Sequence, residues 1–412
     1  METVRLALVG FSGYGWSLAR HILTASADGS CRLVAAAENR MSAAPERVEK
    51  LRAQGVELFD DALKMLDALK GRCDAIYIAT GPTSHEALAT AAFVAGLPVH
   101  LEKPAAPTVQ EVDRLVAAME RSGKFCLVGF HAVHSDDIRF VKERVVDGRL
   151  GRVERLVCWA NWPRGRGYYD HSDWLGRLRV GEQWVLDGPA TNALAHQVTN
   201  ILLLASAEPN RLAIPASVRA ELYVAGPITG HDTAAIEIVT AAGQTAVLLV
   251  SHCGAEPFGP VIEIEAARGR VFWEQKTGAK ITYTDGRTES CAAPADMGRA
   301  AMIANFVQAV RRGDGGELRC PLAESRAETL VVNGAHESSE AIHRIDPACC
   351  RTVEDEQWRA RKVVDGLNEL LAEAARRRCL LSDVPGAPPW VVATERFDLA
   401  GYRQFPQRFR SR

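Results

Sequence analysis

The chain has 412 residues, with 49 basic and 51 acidic side chains, a formal net charge of −2, 47% hydrophobic residues and 24% charged ones. This is the composition of an ordered protein of two or three domains, and its near-neutral balance argues against a general binder of nucleic-acid backbones. No apolar run approaches the roughly 20 residues of a membrane helix; 201–207 is about as long as they get.

The first residues carry no basic cluster, and the apolar run after them leads straight into glycines, so they read as a first strand and not as a signal peptide. Through residue 130, short apolar runs (4–9, 32–37, 75–79, 98–101, 125–130) alternate with helical patterns (16–24, 45–54, 61–70, 84–95, 108–122). Nearly continuous apolar strands separated by helices predict a parallel sheet covered on both faces. Beyond it the rhythm changes. A helix over 136–146 leads to a strand over 153–162, an aromatic and arginine-rich loop to 179, and a helix over 189–207 opened by Pro189. Strands over 217–225, 233–240, 245–251, 261–266, 270–274 and 280–284 then follow without intervening helices, predicting an α+β domain with an open, mostly antiparallel sheet. Helices over 297–312 and 322–345 close the main body. Another over 354–377 precedes a tail rich in Pro, Trp, Tyr and Phe. The expected organisation is 1–130, 131–345 and an extension 346–412 that caps the sheet or a subunit interface.

The ten cysteines show no Cys-x-x-Cys spacing, so zinc ribbons and thioredoxin-type chemistry find no support. Adjacent Cys349 and Cys350 read as free thiols of a reducing cytoplasm. His131 and His134 stand three apart but lack a third ligand, so no metal site is expected.

The first strand runs into Gly10-Phe11-Ser12-Gly13-Tyr14-Gly15 before a helix. Such a turn lets a pyrophosphate approach backbone amides at a helix N-terminus. Gly10 and Gly15 hold the first and third glycine positions of a dinucleotide fingerprint; Ser12 replaces the second, with Gly13 beside it and Tyr14 next. Glu38 closes the second strand 23 residues past Gly15, where a carboxylate takes ribose hydroxyls and favours NAD. Arg40 nearby argues for NADP, which stays open.

Two further stretches are more specific: Ala79-Thr80-Gly81-Pro82-Thr83-Ser84-His85 after the fourth strand, and Glu102-Lys103-Pro104 after the fifth. With the glycine loop, they make residues 1–345 resemble the Gfo/Idh/MocA family of nicotinamide-dependent oxidoreductases. The resemblance implies an N-terminal Rossmann domain, a C-terminal α/β domain whose open sheet serves oligomerisation (a dimer or tetramer), and sugars, polyols or their derivatives as substrates. It places Thr80, His85, Glu102 and Lys103 at the cofactor. A lysine at the C-terminal end of a parallel strand faces the ligand crevice and can hold the substrate oxygen as charge develops on it, so Lys103 is the first catalytic candidate.

The family also carries an Asp and a His four residues apart. The matching stretch is Asp187-Gly188-Pro189-Ala190-Thr191-Asn192-Ala193-Leu194-Ala195-His196. His196 matches the base, with an ordinary pKa near 6.5 suited to proton exchange; Asn192 stands where the family has Asp, and Asp187 is positioned to compensate. A histidine buried on an apolar helix is the plainer alternative for His196. In the loop 161–174, Arg164, Tyr169 and Trp174 are candidate substrate contacts, with Asp187 and Asn192; an aromatic core cluster with a solvated basic loop is the alternative. The expected activity is NAD(P)-dependent hydride transfer at a hydroxyl carbon of a sugar, polyol or glycoside. Its rivals are a lyase or glycosidase that retains NAD and oxidises transiently, and a non-catalytic dinucleotide-binding regulator.

Overall fold

In the computed structural model, which describes residues 2–411, the runs β1 (Val4–Val9), β2 (Cys31–Ala37), β3 (Glu57–Phe59), β4 (Ala75–Ile78), β5 (Val99–Leu101) and β6 (Cys126–Val128) form one parallel sheet. Its order is β3-β2-β1-β4-β5-β6, so the chain reverses its direction of winding between β1 and β4. In doubly wound sheets that point opens the ligand crevice. The connecting helices are α1 (Gly15–Ala25), α2 (Pro45–Ala53), α3 (Ala62–Ala68), α4 (His85–Val94) and α5 (Val109–Ser122). Strand β3 was not expected. It is a three-residue edge strand whose only sheet neighbour is β2.

The second sheet has ten strands: β7 (Val153–Asn161), β10 (Pro215–Val224), β11 (Thr233–Thr240), β12 (Thr245–Ser251), β13 (Phe258–Ala266), β14 (Gly269–Glu274), β15 (Gly278–Tyr283), β16 (Thr288–Ala292), β17 (His343–Arg344) and β20 (Phe397–Asp398). Between β7 and β10 stand the small pair β8 (Arg179–Val180) and β9 (Gln183–Trp184). The main order is β16-β15-β14-β13-β7-β12-β11-β10-β17, with β20 also on β10. It is antiparallel except where β7 meets β12 and β10 meets β17. Helices α6 (Asp136–Val146), α7 (Arg166–Tyr169), α8 (Ala195–Ala205), α9 (Arg299–Arg312), α10 (Leu322–Ser339) and α11 (Leu367–Arg377) complete the chain.

Three features depart from the sequence reading. First, residues 350–364 form a hairpin, β18 (Cys350–Asp355) and β19 (Arg359–Val364), where a helix was expected from 354; α11 starts only after Gly366, whose φ of +73° breaks the backbone there. Second, α8 begins at Ala195 and not at Pro189. Leu194 N donates to Pro189 O at 2.8 Å, a wider turn than a helix makes, so Asn192 lies in the turn before the helix. Third, the compact units are not the expected blocks. One holds the chain up to His134 together with Asp296–Arg326; the other holds Ser135–Ala295 and Ala327 onward. Segment 296–326 joins the first unit because α9 buries Met302, Ile303, Phe306 and Val307 in a core shared with Leu6, Leu8, Ile22 and Tyr77. The extension joins the second unit: Leu367, Leu370, Leu371 and Ala374 pack with Val157, Tyr223, Val247 and Leu249 of the sheet. No helix among the described residues is long and apolar enough to cross a membrane, and all ten cysteines are free.

Candidate active site

In the first unit, the turn from β1 to α1 lies against the end of β4. Gly10 has φ +86°, and a Cβ there would sit 2.7 Å from Ala79 O; a Cβ on Gly15 would sit 2.0 Å from Gly10 O. These two glycines are required by the fold itself. Gly13 differs: nothing lies within 4 Å of the place its Cβ would occupy. No side chain caps α1 and its first turn holds no acid, which leaves the positive end of the helix available to an anion. The loop therefore fits a dinucleotide pyrophosphate.

Glu38 closes β2 and is buried. Its Oε2 accepts from Phe11 N at 3.0 Å and Ser12 N at 2.8 Å, and its Oε1 from Arg40 N at 3.2 Å. Burial opposes the charge, but these bonds, with one from the Ser12 side chain, hold the carboxyl below its ordinary pKa. Ser12 thus clasps the acid to the loop. Arg47, not singled out in the sequence, donates to Phe11 O at 3.0 Å and to Ser12 O, and its Cζ lies 5.6 Å from the Trp16 ring centroid.

At the end of β4, Thr80 Oγ1 and Ser84 Oγ lie 2.7 Å apart. The fully buried His85 ring bridges two turns, with Nδ1 2.9 Å from Pro104 O and Nε2 3.1 Å from Thr80 O. It fixes the segment carrying Lys103 by backbone contacts. Lys103 is half-buried directly after β5, and its bond to Pro104 is cis. Glu102 is buried: Oε2 accepts from Lys103 N at 3.3 Å, and Oε1 has no hydrogen-bond partner. Burial pushes its pKa up to about 7, partly offset by the charges of Lys103 and Arg299. Gly129 makes room for it, since a Cβ there would lie 2.8 Å from Oε1. Arg299 is a residue sequence reasoning missed. It opens α9, and its Nε donates to Tyr14 OH at 3.3 Å, placing a fixed cation at the glycine loop. His131 is spoken for by Met297 O at 2.8 Å, and no group of three or more metal-ligating side chains occurs among the described residues.

In the second unit, His196 lies half-buried in the first turn of α8. Asn192, in the preceding turn, donates through Nδ2 to Tyr168 OH at 3.0 Å. Asp187 is buried, and its Oδ2 accepts from Gly176 N at 2.5 Å, tying the turn before Asn192 to the loop after α7. His231 fills the space under that turn: a Cβ on Gly188 would lie 2.3 Å from its ring. Arg164 sits among Trp162, Tyr168 and Trp358, with its Cζ 5.8, 5.0 and 4.5 Å from their ring centroids. Tyr169 packs edge-on against Tyr168 at 5.2 Å; its hydroxyl is buried without a hydrogen-bond partner, and burial raises its pKa. Trp174 lies half-buried in the following turn and joins no aromatic pair among the described residues. Trp358 had no sequence signal, because its hairpin was read as helix.

The first unit is an NAD-binding Rossmann domain. Residues 4–130 match the Gfo/Idh/MocA family, described as an oxidoreductase family with an NAD-binding Rossmann fold. The match covers this domain and not the rest of the chain. Among curated relatives it is 33% identical over 151 residues to a myo-inositol dehydrogenase, Hyg17, of Streptomyces leeuwenhoekii (37% of this chain, 44% of that one). It is 27% identical over 270 residues to a D-apiose dehydrogenase of Paraburkholderia graminis (63% and 68%). The chain spans about half the length, or less, of the first curated relatives it matches. The fold extends further. The WlbA dehydrogenase of Bordetella pertussis, solved with NADH and UDP-GlcNAcA, superposes with a TM-score of 0.66 over 81% of this chain and 97% of that one, at 22% identity.

Proposed function

We propose that this chain is a dehydrogenase that oxidises a hydroxyl carbon of a sugar or polyol, or reduces the corresponding carbonyl, with NAD. The observation that carries the reading is the first unit's switch point, where an open glycine loop and the Glu102-Lys103-Pro104 turn stand at the strand ends of a domain of this family. The relatives named for inositol and apiose support the polyol class.

Bound nicotinamide would supply the hydride acceptor or donor. The residues suited to hold the dinucleotide are Gly10, Ser12, Gly13, Tyr14 and Gly15 at the pyrophosphate, Glu38 and Arg40 at the adenosine ribose, and Thr80 and Glu102 at the strand ends. The Glu38 charge supports NAD over NADP by repelling a 2′-phosphate. Lys103 donates to the substrate oxygen and stabilises it as it gains charge. His196 accepts the hydroxyl proton in oxidation and returns it in reduction. Asn192, Asp187, Arg164, Tyr169 and Trp174 are assigned to substrate. A homo-oligomer in the cytoplasm completes the proposal, with light scattering as the check on assembly.

The test is nicotinamide absorbance in the near ultraviolet, with NAD and a panel of polyols, aldoses and sugar acids. One or more members should reduce NAD, and Lys103→Met and His196→Ala should each lower kcat by about 10²–10⁴-fold. Full turnover in both variants would refute the assignment.

A further inference from the structure

The second unit holds a guanidinium that no carboxylate answers. Arg164 follows β7 and is largely withdrawn from water among Trp162, Tyr168 and Trp358. Its Nη1 donates to the adjacent Pro163 O at 3.0 Å, whereas its Nε is buried with no hydrogen-bond partner. No acidic side chain among the described residues forms an ion pair with it. Burial lowers its pKa, and only the Tyr168 and Tyr169 hydroxyls offset the loss. A desolvated, unpaired cation is costly to keep. Aromatic faces pre-orient such a cation and do not neutralise it.

The cluster is not needed to fasten the hairpin that supplies Trp358. Gly167 N donates to Trp358 O at 2.8 Å, Arg361 donates to Gly254 O and Ala255 O at 3.1 Å each, and Arg359 pairs with Asp170 at 2.7 Å. Bare glycine at 165 lets the hairpin backbone lie directly on the loop; a Cβ there would be 2.6 Å from Ala360 O. The arginine is also connected to the second unit's candidate residues. Tyr168, whose face it approaches, accepts from Asn192 one turn ahead of His196. Asn192 is an amide, so it leaves the positive charge unspent.

We propose that Arg164, walled by Trp162, Tyr168 and Trp358, binds a carboxylate on the substrate, so that the substrate class is a sugar acid or carboxylated polyol. The sugar-like part of that statement rests on the dehydrogenase reading; the carboxylate part does not. A planar guanidinium offers two parallel N–H bonds to a carboxylate, and the aromatic walls exclude water from the pair.

The test is equilibrium binding to the full chain by calorimetry and tryptophan fluorescence, which needs no turnover. Matched probes are D-gluconate and D-glucuronate against D-sorbitol, D-glucose and myo-inositol, with NAD present. At least one acid should bind 10-fold or more tighter than its neutral counterpart. Arg164→Gln should weaken the acid by about 10- to 100-fold, Arg164→Lys by less because it keeps charge without the fork, and Trp358→Leu by a few-fold. Asn192→Asp should also weaken it, by supplying an internal counter-ion. Circular dichroism and melting temperature separate these losses from misfolding. Equal affinity for acid and neutral probes, no binding by any acid, or unchanged acid binding in folded Arg164→Gln overturns the proposal. Failure to bind NADH would sink the dehydrogenase reading instead and leave the Arg164 result standing.

Discussion

Replacing Glu102 with Gln tests whether the buried carboxyl beside Lys103 titrates near neutrality. Below pH 4.5 the group is protonated in both folded and unfolded chains. Between 4.5 and about 7 the unfolded chain gives up the proton while the fold keeps it, so this group makes stability fall as pH rises. Above about 7 both states are ionised and the whole cost, about 3 kcal/mol, is present. Glutamine keeps the acceptor facing Lys103 N and does not ionise. Its own packing offset is the same at every pH, so the informative quantity is the difference between the two proteins. Urea unfolding from pH 4.5 to 8.5 should show Glu102→Gln gaining about 3 kcal/mol relative to the wild type across that interval. Parallel stability curves would refute the reasoning and return Glu102 to an ordinary solvated carboxylate.

Four further substitutions probe the scaffold and the glycine loop. Glu337 is fully buried on α10 and accepts from Tyr402 OH (2.6 Å), Gln407 N (2.7 Å), Arg408 N (2.6 Å) and Phe409 N (2.9 Å), so Glu337→Ala should cost about 3–5 kcal/mol and, by freeing the tail backbone, speed tryptic cleavage at the exposed Arg403 and Arg408. An unchanged urea midpoint and digestion pattern would show that the tail is held elsewhere. Gly13→Ala should leave stability within about 0.5 kcal/mol, because no atom lies near its Cβ, while weakening NADH binding in fluorescence titrations. Gly15→Ala should lose both, since its Cβ meets the Gly10 backbone. Gly165→Ala should cost about 1–3 kcal/mol by lifting the 350–364 hairpin, read as faster cleavage at Arg359 and Arg361.

The parallel sheet was legible because β1 and β4 to β6 are buried on both faces and so write themselves as unbroken apolar runs. Strand β3 left no such trace: three residues at a sheet edge need only one neighbour and little burial. The hairpin 350–364 was hidden for a related reason. It pairs only with itself, so charged Arg351, Glu354 and Arg359 stay exposed and no alternating apolar face marks it, while the strongly amphipathic run after Leu367 drew the helix reading backwards across Gly366. What was least legible is what only tertiary structure decides. Met302, Ile303 and Phe306 look like any apolar helical face, and nothing local says that they pack under β1 and β4 and not under the second sheet. That choice brings Arg299 to Tyr14 and the glycine loop.

The same limit governs the site. Glu102-Lys103-Pro104 and the glycine loop could be read because each is a short stretch whose backbone geometry demands those residue types. Arg164 could be picked as a candidate but not assigned a partner, because its nearest aromatic neighbour, Trp358, lies 194 residues further along, in a segment whose pattern reads as helix and not as the hairpin it forms. The motifs that we assign to the nucleotide are thus local in sequence, while the surroundings of the charge that we assign to substrate recognition are assembled from the 161–168 loop, the turn before α8 and the C-terminal extension. Substitutions in the extension, Trp358→Leu first among them, should therefore weaken acid binding in calorimetry while leaving NADH affinity unchanged.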